Sequence, residues 1–414
     1  MDVGMSPPRL WITGVGTQYP PHTQTPETFE ELAGRFYDVD KPGLQKLLNI
    51  NRRTGIDARP AIHHYETGFG CAPEPPSIQA LDTFFREHGV PLAAAACRKA
   101  LAEWGGRLAD ITHTVAVTCT NQGTPGYDIL VNRRLGLDDN AAERVLLHGV
   151  GCAGGAAVLR VASQLARGAA ARGRPARILC YACELCTPNV RRELAEAEAC
   201  VDMDRLGIAG ILFSDGAAAF VLCNDAGLLG GNNDSKSGGS SSQPLFEVLE
   251  CGNATLPDTV QEMSLLVRED GFRAVISRKA TEHTRKAILP LFQRLCSSLP
   301  DRETLQADPA RFDWALHPGG KTIIAGAQEE LGLSDDQLRA TREIYRTKGN
   351  SSSVSALAVL DLLRRLGRGR EHVAVTSFGP GLVCEMVLLK RCHDVETAGV
   401  GIGAQNPNYV NCHY

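Results

Sequence analysis

Short apolar runs alternate along the chain with longer segments that have helical periodicity. Residues 112–119 and 177–183 are rich in Val, Ile, Leu and Thr and predict strands, and residues 212–223 predict a turn followed by a strand. Residues 153–171 repeat small and apolar positions at helical spacing, which predicts a helix. Strands that alternate with helices are typical of an α/β fold, in which helices pack on a sheet.

The second half of the chain resumes this alternation. The predicted strands cover 244–251, 313–317, 372–377 and 382–389, and the predicted helices cover 272–299, 320–331 and 352–366. The long helix has apolar positions at Ala280, Ala287, Leu291 and Leu295. Both halves hold a similar number of strand–helix units, which indicates a duplicated architecture although no sequence repeat is evident.

A polar tract separates the two halves. Residues 229–243 are dominated by Gly, Ser and Asn and cannot supply the side chains of a packed core, so we interpret them as a loop or linker. The predicted organisation is an N-terminal half over 1–228, this tract, a C-terminal half over 244–391 and a tail over 392–414, which lacks a periodic pattern.

The composition is that of an ordinary globular protein, with 43% hydrophobic and 22% charged residues in 414. A net charge of −4 argues against a general nucleic-acid binder. Because no window approaches about 18 uninterrupted apolar residues and no secretory signal pattern begins the chain, we expect no membrane span and a cytoplasmic location. The 14 cysteines are then more typical of free thiols than of disulfides.

Cys152 lies between a short apolar strand pattern and the start of a predicted helix. Unpaired backbone N–H groups and the helix dipole favour a thiolate at such a position, which suits a nucleophile. A buried core thiol is the alternative, because cysteine is often buried. Residues 149–154 also form a G-x-G-x-x-G pattern, but residues 171–177, about 20 positions further on, include no acidic residue for a dinucleotide site.

A second cysteine pattern, formed by Cys180, Cys183 and Cys186, resembles part of an iron–sulfur signature. The fourth ligand is missing at the ferredoxin spacing, since the next cysteine is Cys200. The run also begins as a buried strand, so the sequence favours core thiols and predicts no metal site.

His317 ends a predicted strand and is followed by Pro-Gly-Gly-Lys-Thr. This fragment lacks the first glycine of a P-loop, because that position is Ala315, so a nucleotide site is excluded. Asn350 precedes a predicted helix and is also suited to cap it. The run Ser377-Phe-Gly-Pro-Gly-Leu predicts a rigid turn, which either only reverses the chain or forms the wall of a site.

The order and spacing of these motifs resemble those of the type III polyketide synthases, the chalcone synthase superfamily within the thiolase-like fold. The resemblance covers residues 11–390 and includes the motifs Gly151-Cys-Ala-Gly-Gly, Phe213-Ser-Asp-Gly-Ala-Ala-Ala, Ala340-Thr-Arg-Glu and Ser377-Phe-Gly-Pro-Gly. It implies two similar α/β halves packed as αβαβα layers, and a homodimer.

The resemblance also implies a catalytic triad of Cys152, His317 and Asn350. Cys152 would take the acyl group of an acyl-CoA as a thioester. His317 and Asn350 would donate hydrogen bonds to the thioester oxygen of malonyl-CoA and stabilise the enolate that remains after CO₂ is lost. No metal or other cofactor is implied, since the CoA thioesters are substrates.

Further site residues follow from the resemblance alone. Phe213 matches a gatekeeper between the CoA tunnel and the cavity, and the basic residues at the tunnel mouth are Lys46, Arg52 and Arg53. The implied cavity residues are Thr120, Cys186, Asn189, Phe378, Gly379, Pro380 and Gly381.

The chain differs from plant members of this superfamily at Asn189, where they carry Thr, and at Thr124, where they carry Met. With the Gly/Ser tract and the tail, these differences resemble microbial, and especially fungal, members and imply a fatty acyl-CoA starter and an alkylpyrone, alkylresorcinol or resorcylic acid product. One alternative is a chalcone- or stilbene-type synthase with an aromatic starter. Another is a ketoacyl synthase III that uses acyl carrier protein and condenses once, and a third is an inactive scaffold protein, which the intact triad disfavours.

Overall fold

The computed structural model of the chain describes residues 8–137, 142–229, 243–299, 306–367 and 369–393. Most of the predicted tract 229–243 and of the predicted tail 392–414 lies outside the described residues, so both assignments stay predictions. None of the described helices has the length and apolar character needed to cross a membrane.

The strands alternate with helices along most of the chain. They are β1 Leu10–Gln18, β2 His22–Gln24, β3 Arg59–Ala61, β4 His113–Val117, β5 Glu143–Leu147, β6 Arg177–Glu184, β7 Gly216–Asn224, β8 Phe246–Thr255, β9 Met263–Arg268, β10 Gly271–Ile276, β11 Phe312–Leu316, β12 His372–Gly379 and β13 Val383–Arg391.

The helices differ in length from single turns to five turns. They are α1 Pro26–Phe36, α2 Pro42–Asn51, α3 Ile78–Phe84, α4 Val90–Trp104, α5 Tyr127–Leu135, α6 Gly154–Ala171, α7 Val190–Glu198, α8 Ala209–Leu212, α9 Asp225–Leu229, α10 Ala280–Ser297, α11 Lys321–Leu331, α12 Arg339–Lys348 and α13 Ser355–Arg365.

Strands from both halves join in one sheet of nine strands, in the order β11-β12-β13-β8-β1-β7-β6-β4-β5. The pairs β11–β12, β6–β4 and β4–β5 are parallel, and the other neighbours are antiparallel. The two halves meet where β1 pairs with β8 through Trp11–Glu247 and Ile12–Phe246. Two small sheets, the β2–β3 pair and the β9–β10 hairpin, lie outside this sheet.

The helices divide the fold into layers. The helix α4 covers the outer face of the N-terminal strands and packs against α5, and α10 covers that of the C-terminal strands and packs against α11. Between them lie α6 and α13, which contact strands of both halves. Three apolar clusters fill the spaces between these layers. This arrangement confirms the predicted α/β class with the layering of a thiolase-like fold.

The prediction of one helix over 272–299 is wrong at its start. Residues Gly271–Ile276 pair with β9 as an antiparallel strand, and α10 begins at Ala280. Phe272, Ala274 and Ile276 alternate along this strand, which is the pattern of a strand with one apolar face. The rest of the helix is as predicted, because its apolar positions, Ala280, Ala287, Leu291 and Leu295, are buried.

A cluster of arginines around one carboxylate holds the edge of the C-terminal half together. Asp313 on β11 is fully buried and pairs with Arg339, Arg370 and Arg391 at N–O distances of 2.8, 3.1 and 2.9 Å. Burial acts to raise the pKa of Asp313, but hydrogen bonds and charges from Arg339 and Arg391 outweigh it and hold the pKa below its ordinary value.

We expect Asp313→Asn to lower the free energy of unfolding by about 3 kcal/mol at pH 7, because three guanidinium groups lose their carboxylate. Because the pKa of Asp313 is lower in the folded state than its value of about 4 in the unfolded state, the ionised carboxylate stabilises the fold at pH values above about 4. This stabilisation is lost as the pH falls through the lower, folded-state pKa. Urea unfolding at pH 7 and at about pH 3.5 should therefore show the difference from the unmodified protein shrinking in acid.

The matched control is Asp336→Asn. This carboxylate also pairs with Arg339 and Arg370, but its side chain is 66% exposed, so its loss should cost less than about 1 kcal/mol. Equal losses in the two variants would contradict the assignment of a special role to the buried carboxylate.

Candidate active site

A cavity lies between the ends of the central elements and the β9–β10 hairpin. Its empty volume is about 930 Å³, which includes solvent at its mouth. Cys152 lies more than 150 residues before His317 and Asn350 in the sequence, yet all three residues line this cavity. The structure therefore places the three residues of the predicted triad around one space.

Cys152 stands in a single 3₁₀ turn, Gly151–Ala153, immediately before α6. Its Sγ lies 3.5 Å from Ser352 Oγ. Burial raises the pKa of the Cys152 thiol to about 12, although hydrogen bonding with Ser352 and Asn350 acts in the opposite direction. The sequence predicts a thiolate from the helix start alone, but burial of the thiol outweighs that effect and favours its neutral form.

His317 follows the end of β11 and is held by its backbone. Its N–H donates to the Thr376 carbonyl at 2.8 Å, and its own carbonyl accepts from the Gly319 N–H at 2.8 Å. Burial lowers the pKa of His317 to about 3, so the ring is a neutral imidazole. Within the described part of the chain, its Nδ1 has no hydrogen-bond partner. The neutral imidazole has one ring nitrogen with a free lone pair, which is the kind of group that accepts a proton, and it shares the cavity with Cys152.

Asn350 is fixed by its backbone and by one side of its amide. Its N–H donates to the Leu212 carbonyl and its carbonyl accepts from Ser214, both at 2.9 Å. The side-chain Oδ1 accepts the N–H of Ser352 at 2.8 Å. Because Oδ1 is the acceptor, the Nδ2 group is the part of the amide that remains to donate into the cavity.

The turn after Asn350 lies against the start of α6, which belongs to the other half of the chain. A Cβ atom added to Gly155 would lie 2.4 Å from the Ser353 carbonyl oxygen, so a glycine is required for this approach. The same turn places Ser352 Oγ 3.3 Å from Cys119 Sγ and 3.5 Å from Cys152 Sγ. Close backbone packing between the halves thus brings the thiol to the amide.

A buried carboxylate supports this wall of the cavity. Glu184, at the end of β6, accepts hydrogen bonds from Thr120 Oγ1 at 2.8 Å and from Ser353 Oγ. Burial raises the pKa of Glu184, while these hydrogen bonds lower it. Sequence reasoning missed Glu184, Cys119 and Ser352. The available signal for Glu184 was a carboxylate at the end of a run of apolar strand residues, since such a group needs partners when it is buried.

Most of the predicted cavity residues line the cavity. Phe213, Thr120, Cys186, Asn189, Phe378 and Pro380 are in its wall. Gly379 and Gly381 are not part of this lining. Gly379 instead packs on the loop before α6, where an added Cβ would lie 2.4 Å from the Val150 carbonyl oxygen.

The predicted basic residues occupy a different place. Lys46 and Arg53 line a separate surface pocket, and Lys46 Nζ donates to the Met203 carbonyl at 3.0 Å. Arg52 forms a two-bond ion pair with Glu30, with both N–O distances at 2.7 Å. Their assignment to CoA phosphates stays a prediction.

The cysteine pattern of β6 divides between core and cavity. Cys180 and Cys183 are fully buried in the strand, and only Cys186 reaches the cavity. Among the side chains that the structure describes, no group of three or more His, Cys, Asp or Glu residues is arranged to hold a metal ion.

Sequence comparison assigns both halves of the chain to one family. Residues 68–226 match the N-terminal domain, and residues 247–393 the C-terminal domain, of the family described as chalcone and stilbene synthases. The type III polyketide synthase pspB of Penicillium soppii is 52% identical over 399 residues, which cover 93% of this chain and 97% of that protein. The acylalkylpyrone synthase csyB of Aspergillus oryzae is 36% identical over 386 residues, which cover 92% of this chain and 94% of that protein.

Solved structures give the same result. The fungal type III polyketide synthase ORAS is 40% identical and superposes with a TM-score of 0.84, over 92% of this chain and 99% of that chain. A type III pentaketide synthase from Neurospora crassa is 39% identical, with a TM-score of 0.83 over the same shares of the two chains.

The geometry predicts how Cys152 reacts with iodoacetamide. If His317 accepts the thiol proton, His317→Gln should slow the alkylation of Cys152 at pH 7 by about 10²-fold, the usual effect of losing a general base. Peptide mass spectrometry after timed quenching measures the rate. The exposed thiol of Cys71 is the internal control, and its rate should not change. An unchanged rate at Cys152 would exclude His317 as its proton acceptor.

Proposed function

The chain belongs to the chalcone and stilbene synthase family, the type III polyketide synthases, and on that premise we propose that it loads an acyl-CoA starter on Cys152 and extends it with malonyl-CoA. Members of this family are acyltransferases that carry out decarboxylative condensation, and they need no cofactor beyond their CoA thioester substrates. The observation that carries the proposal is the position of Cys152, His317 and Asn350 around one largely apolar cavity.

In the loading step, His317 accepts the proton of Cys152 and the thiolate attacks the carbonyl carbon of the acyl-CoA. The tetrahedral intermediate collapses, the C–S bond to CoA breaks, and the CoA sulfur takes the proton from His317. Both groups are neutral in the buried site, so Cys152 has a proton to give and His317 has a lone pair that accepts it.

In the extension step, the thioester oxygen of malonyl-CoA accepts hydrogen bonds from Asn350 Nδ2 and from His317. Loss of CO₂ leaves an enolate, and these two donors stabilise its oxygen. The enolate carbon then attacks the acyl-cysteine carbonyl, and Cys152 departs as a thiolate. The hydrogen bond that the Ser352 N–H donates to Asn350 Oδ1 supports this role, since it keeps the amide oxygen turned away from the enolate.

The cavity wall supports a fatty acyl starter. The β9–β10 hairpin and neighbouring elements contribute apolar side chains to it, namely Leu185, Val190, Met263, Leu265, Phe272, Ala274, Ile276 and Ile323. An acyl chain that covers such a surface is stabilised by about 0.8 kcal/mol for each buried CH₂ group. We therefore propose an alkylpyrone or alkylresorcylic acid as the product class. We also propose that the enzyme works as a homodimer.

The experiment that tests this proposal offers the purified enzyme malonyl-CoA with starters of increasing length. We expect extension products from fatty acyl-CoAs, with kcat/KM rising with chain length until the cavity is filled, and poor use of aromatic acyl-CoAs of similar size. Mass spectrometry of the products measures both. A preference for the aromatic starter would favour a chalcone- or stilbene-type synthase, and a requirement for acyl carrier protein would indicate a ketoacyl synthase III-type reaction.

The two chemical roles can be separated by substitution. Asn350→Asp keeps the acceptor for the Ser352 N–H but replaces the Nδ2 donor with a charged oxygen that repels the enolate. It should lower malonyl-CoA decarboxylation by about 10²–10³-fold. Cys152→Ala should abolish chain extension and still release CO₂ from malonyl-CoA, because the thiol takes no part in that step. Extension by Cys152→Ala, or full decarboxylation by Asn350→Asp, would exclude the assigned roles.

A further inference from the structure

One carboxyl group in the cavity has no part in the chemistry described above. Glu193 lies in the first turn of α7 and lines the same cavity as the proposed triad. Its side chain is buried, with only 6% of the residue exposed. A carboxyl group is costly to place in an apolar wall unless it finds a hydrogen-bond partner, so its presence there calls for an explanation.

The position of Glu193 is fixed by its neighbours. Gly210 packs closely against Glu193, since a Cβ atom added to Gly210 would lie 3.1 Å from Glu193 Cβ. On the other side, Asn189 Nδ2 lies 3.4 Å from Glu193 Oε1. That contact is long because Asn189 already bonds the Phe272 backbone twice, donating to its carbonyl at 2.9 Å and accepting its N–H at 3.1 Å. The carboxyl group is therefore held at the wall rather than free to turn away.

Most of the hydrogen-bonding capacity of the Glu193 carboxyl group is not used by the protein groups that the structure describes. The long contact with Asn189 is the one hydrogen bond that the Glu193 carboxyl group forms within the residues that the structure describes. Burial, with a smaller effect from Glu196, raises the pKa of Glu193 to about 8, against the opposing effects of Asn189, Arg192 and Arg273. At neutral pH the group is a carboxylic acid, which has one O–H to donate and oxygen lone pairs to accept.

The cavity surface around Glu193 is apolar, with Val190, Ala209 and Phe272 among the lining residues. A saturated acyl chain in this space would displace water from the carboxyl group and return no hydrogen bond. The cost of leaving a buried polar group unpaired is about 1–3 kcal/mol, which strongly disfavours a ligand that lacks the matching atom. A chain that carries an oxygen atom at the depth of Glu193 avoids that cost.

We propose that Glu193 determines starter specificity by hydrogen bonding an oxygen atom on the acyl chain, so that the cavity accepts a hydroxyacyl or oxoacyl starter in preference to the saturated chain of the same length. This inference rests on the proposed loading of acyl groups at Cys152 and narrows it to oxygen-bearing fatty acyl groups. Because the starter acyl chain meets Glu193 before any extension, Glu193 selects among starters at the loading step.

The test measures the rate at which the acyl-enzyme forms in the absence of malonyl-CoA. The probes are one saturated acyl-CoA and a series of hydroxyacyl-CoAs of the same length, each with the hydroxyl at a different carbon. Intact-protein mass spectrometry follows the mass added to Cys152. We expect at least one hydroxyl position to load about 10-fold faster than the saturated parent.

Two substitutions of Glu193 then separate hydrogen bonding from packing. Glu193→Leu should remove the preference and load the saturated chain at least as fast as the unmodified enzyme does. Glu193→Gln, which keeps a donor and an acceptor, should retain most of the preference. Glu198→Gln, on the same helix but outside the cavity lining, is the matched control and should behave as the unmodified enzyme.

The inference is overturned if no hydroxyl position loads faster than the parent, or if Glu193→Leu keeps the preference. Either result would leave the proposed function intact, because the saturated chain would still load on Cys152. Failure of the proposed function would look different, since then no acyl-CoA would add its acyl mass to Cys152.

Discussion

The approach of the turn after Asn350 to the start of α6 is the contact on which the site depends. Gly155 admits the Ser353 carbonyl where any side chain would exclude it. This contact crosses from one half of the fold to the other and sets the thiol, the amide and Ser352 within hydrogen-bonding range of one another. The middle layer of α6 and α13 contacts strands of both halves and so packs around this contact.

Burial has opposite effects on the two proposed proton-transfer partners, and together these effects serve the chemistry. It raises the pKa of Cys152 and lowers that of His317, so both groups rest in their neutral forms. A neutral pair costs little to keep in an apolar cavity, whereas a permanent ion pair there would need further polar groups to stabilise it. The same apolar wall that favours an acyl chain therefore also determines the protonation state of the nucleophile.

The sequence allows the α/β class, most strand positions and the set of Cys152, His317 and Asn350 to be predicted, because motif order and local periodicity carry that information. It does not reveal the hairpin, since Gly271–Ile276 continues into α10 with no strong break and tertiary pairing with β9 decides its conformation. Glu184 and Glu193 were missed for a related reason. A carboxylate on a helix or strand end is normally exposed, and only the folded chain shows that these two are buried.

Asn189 shows how these missed features are connected. The resemblance assigned it to the cavity wall, but its amide also forms both hydrogen bonds to Phe272 and so ties α7 to the hairpin. A threonine at this position, as in plant members of the family, offers a single hydroxyl oxygen in place of the separate nitrogen and oxygen atoms with which the Asn189 amide meets the carbonyl and the N–H of Phe272. Asn189 therefore positions the apolar hairpin and leaves Glu193 with only a long contact. One residue thus determines both the shape of the cavity and the hydrogen-bonding capacity that an acyl chain meets inside it.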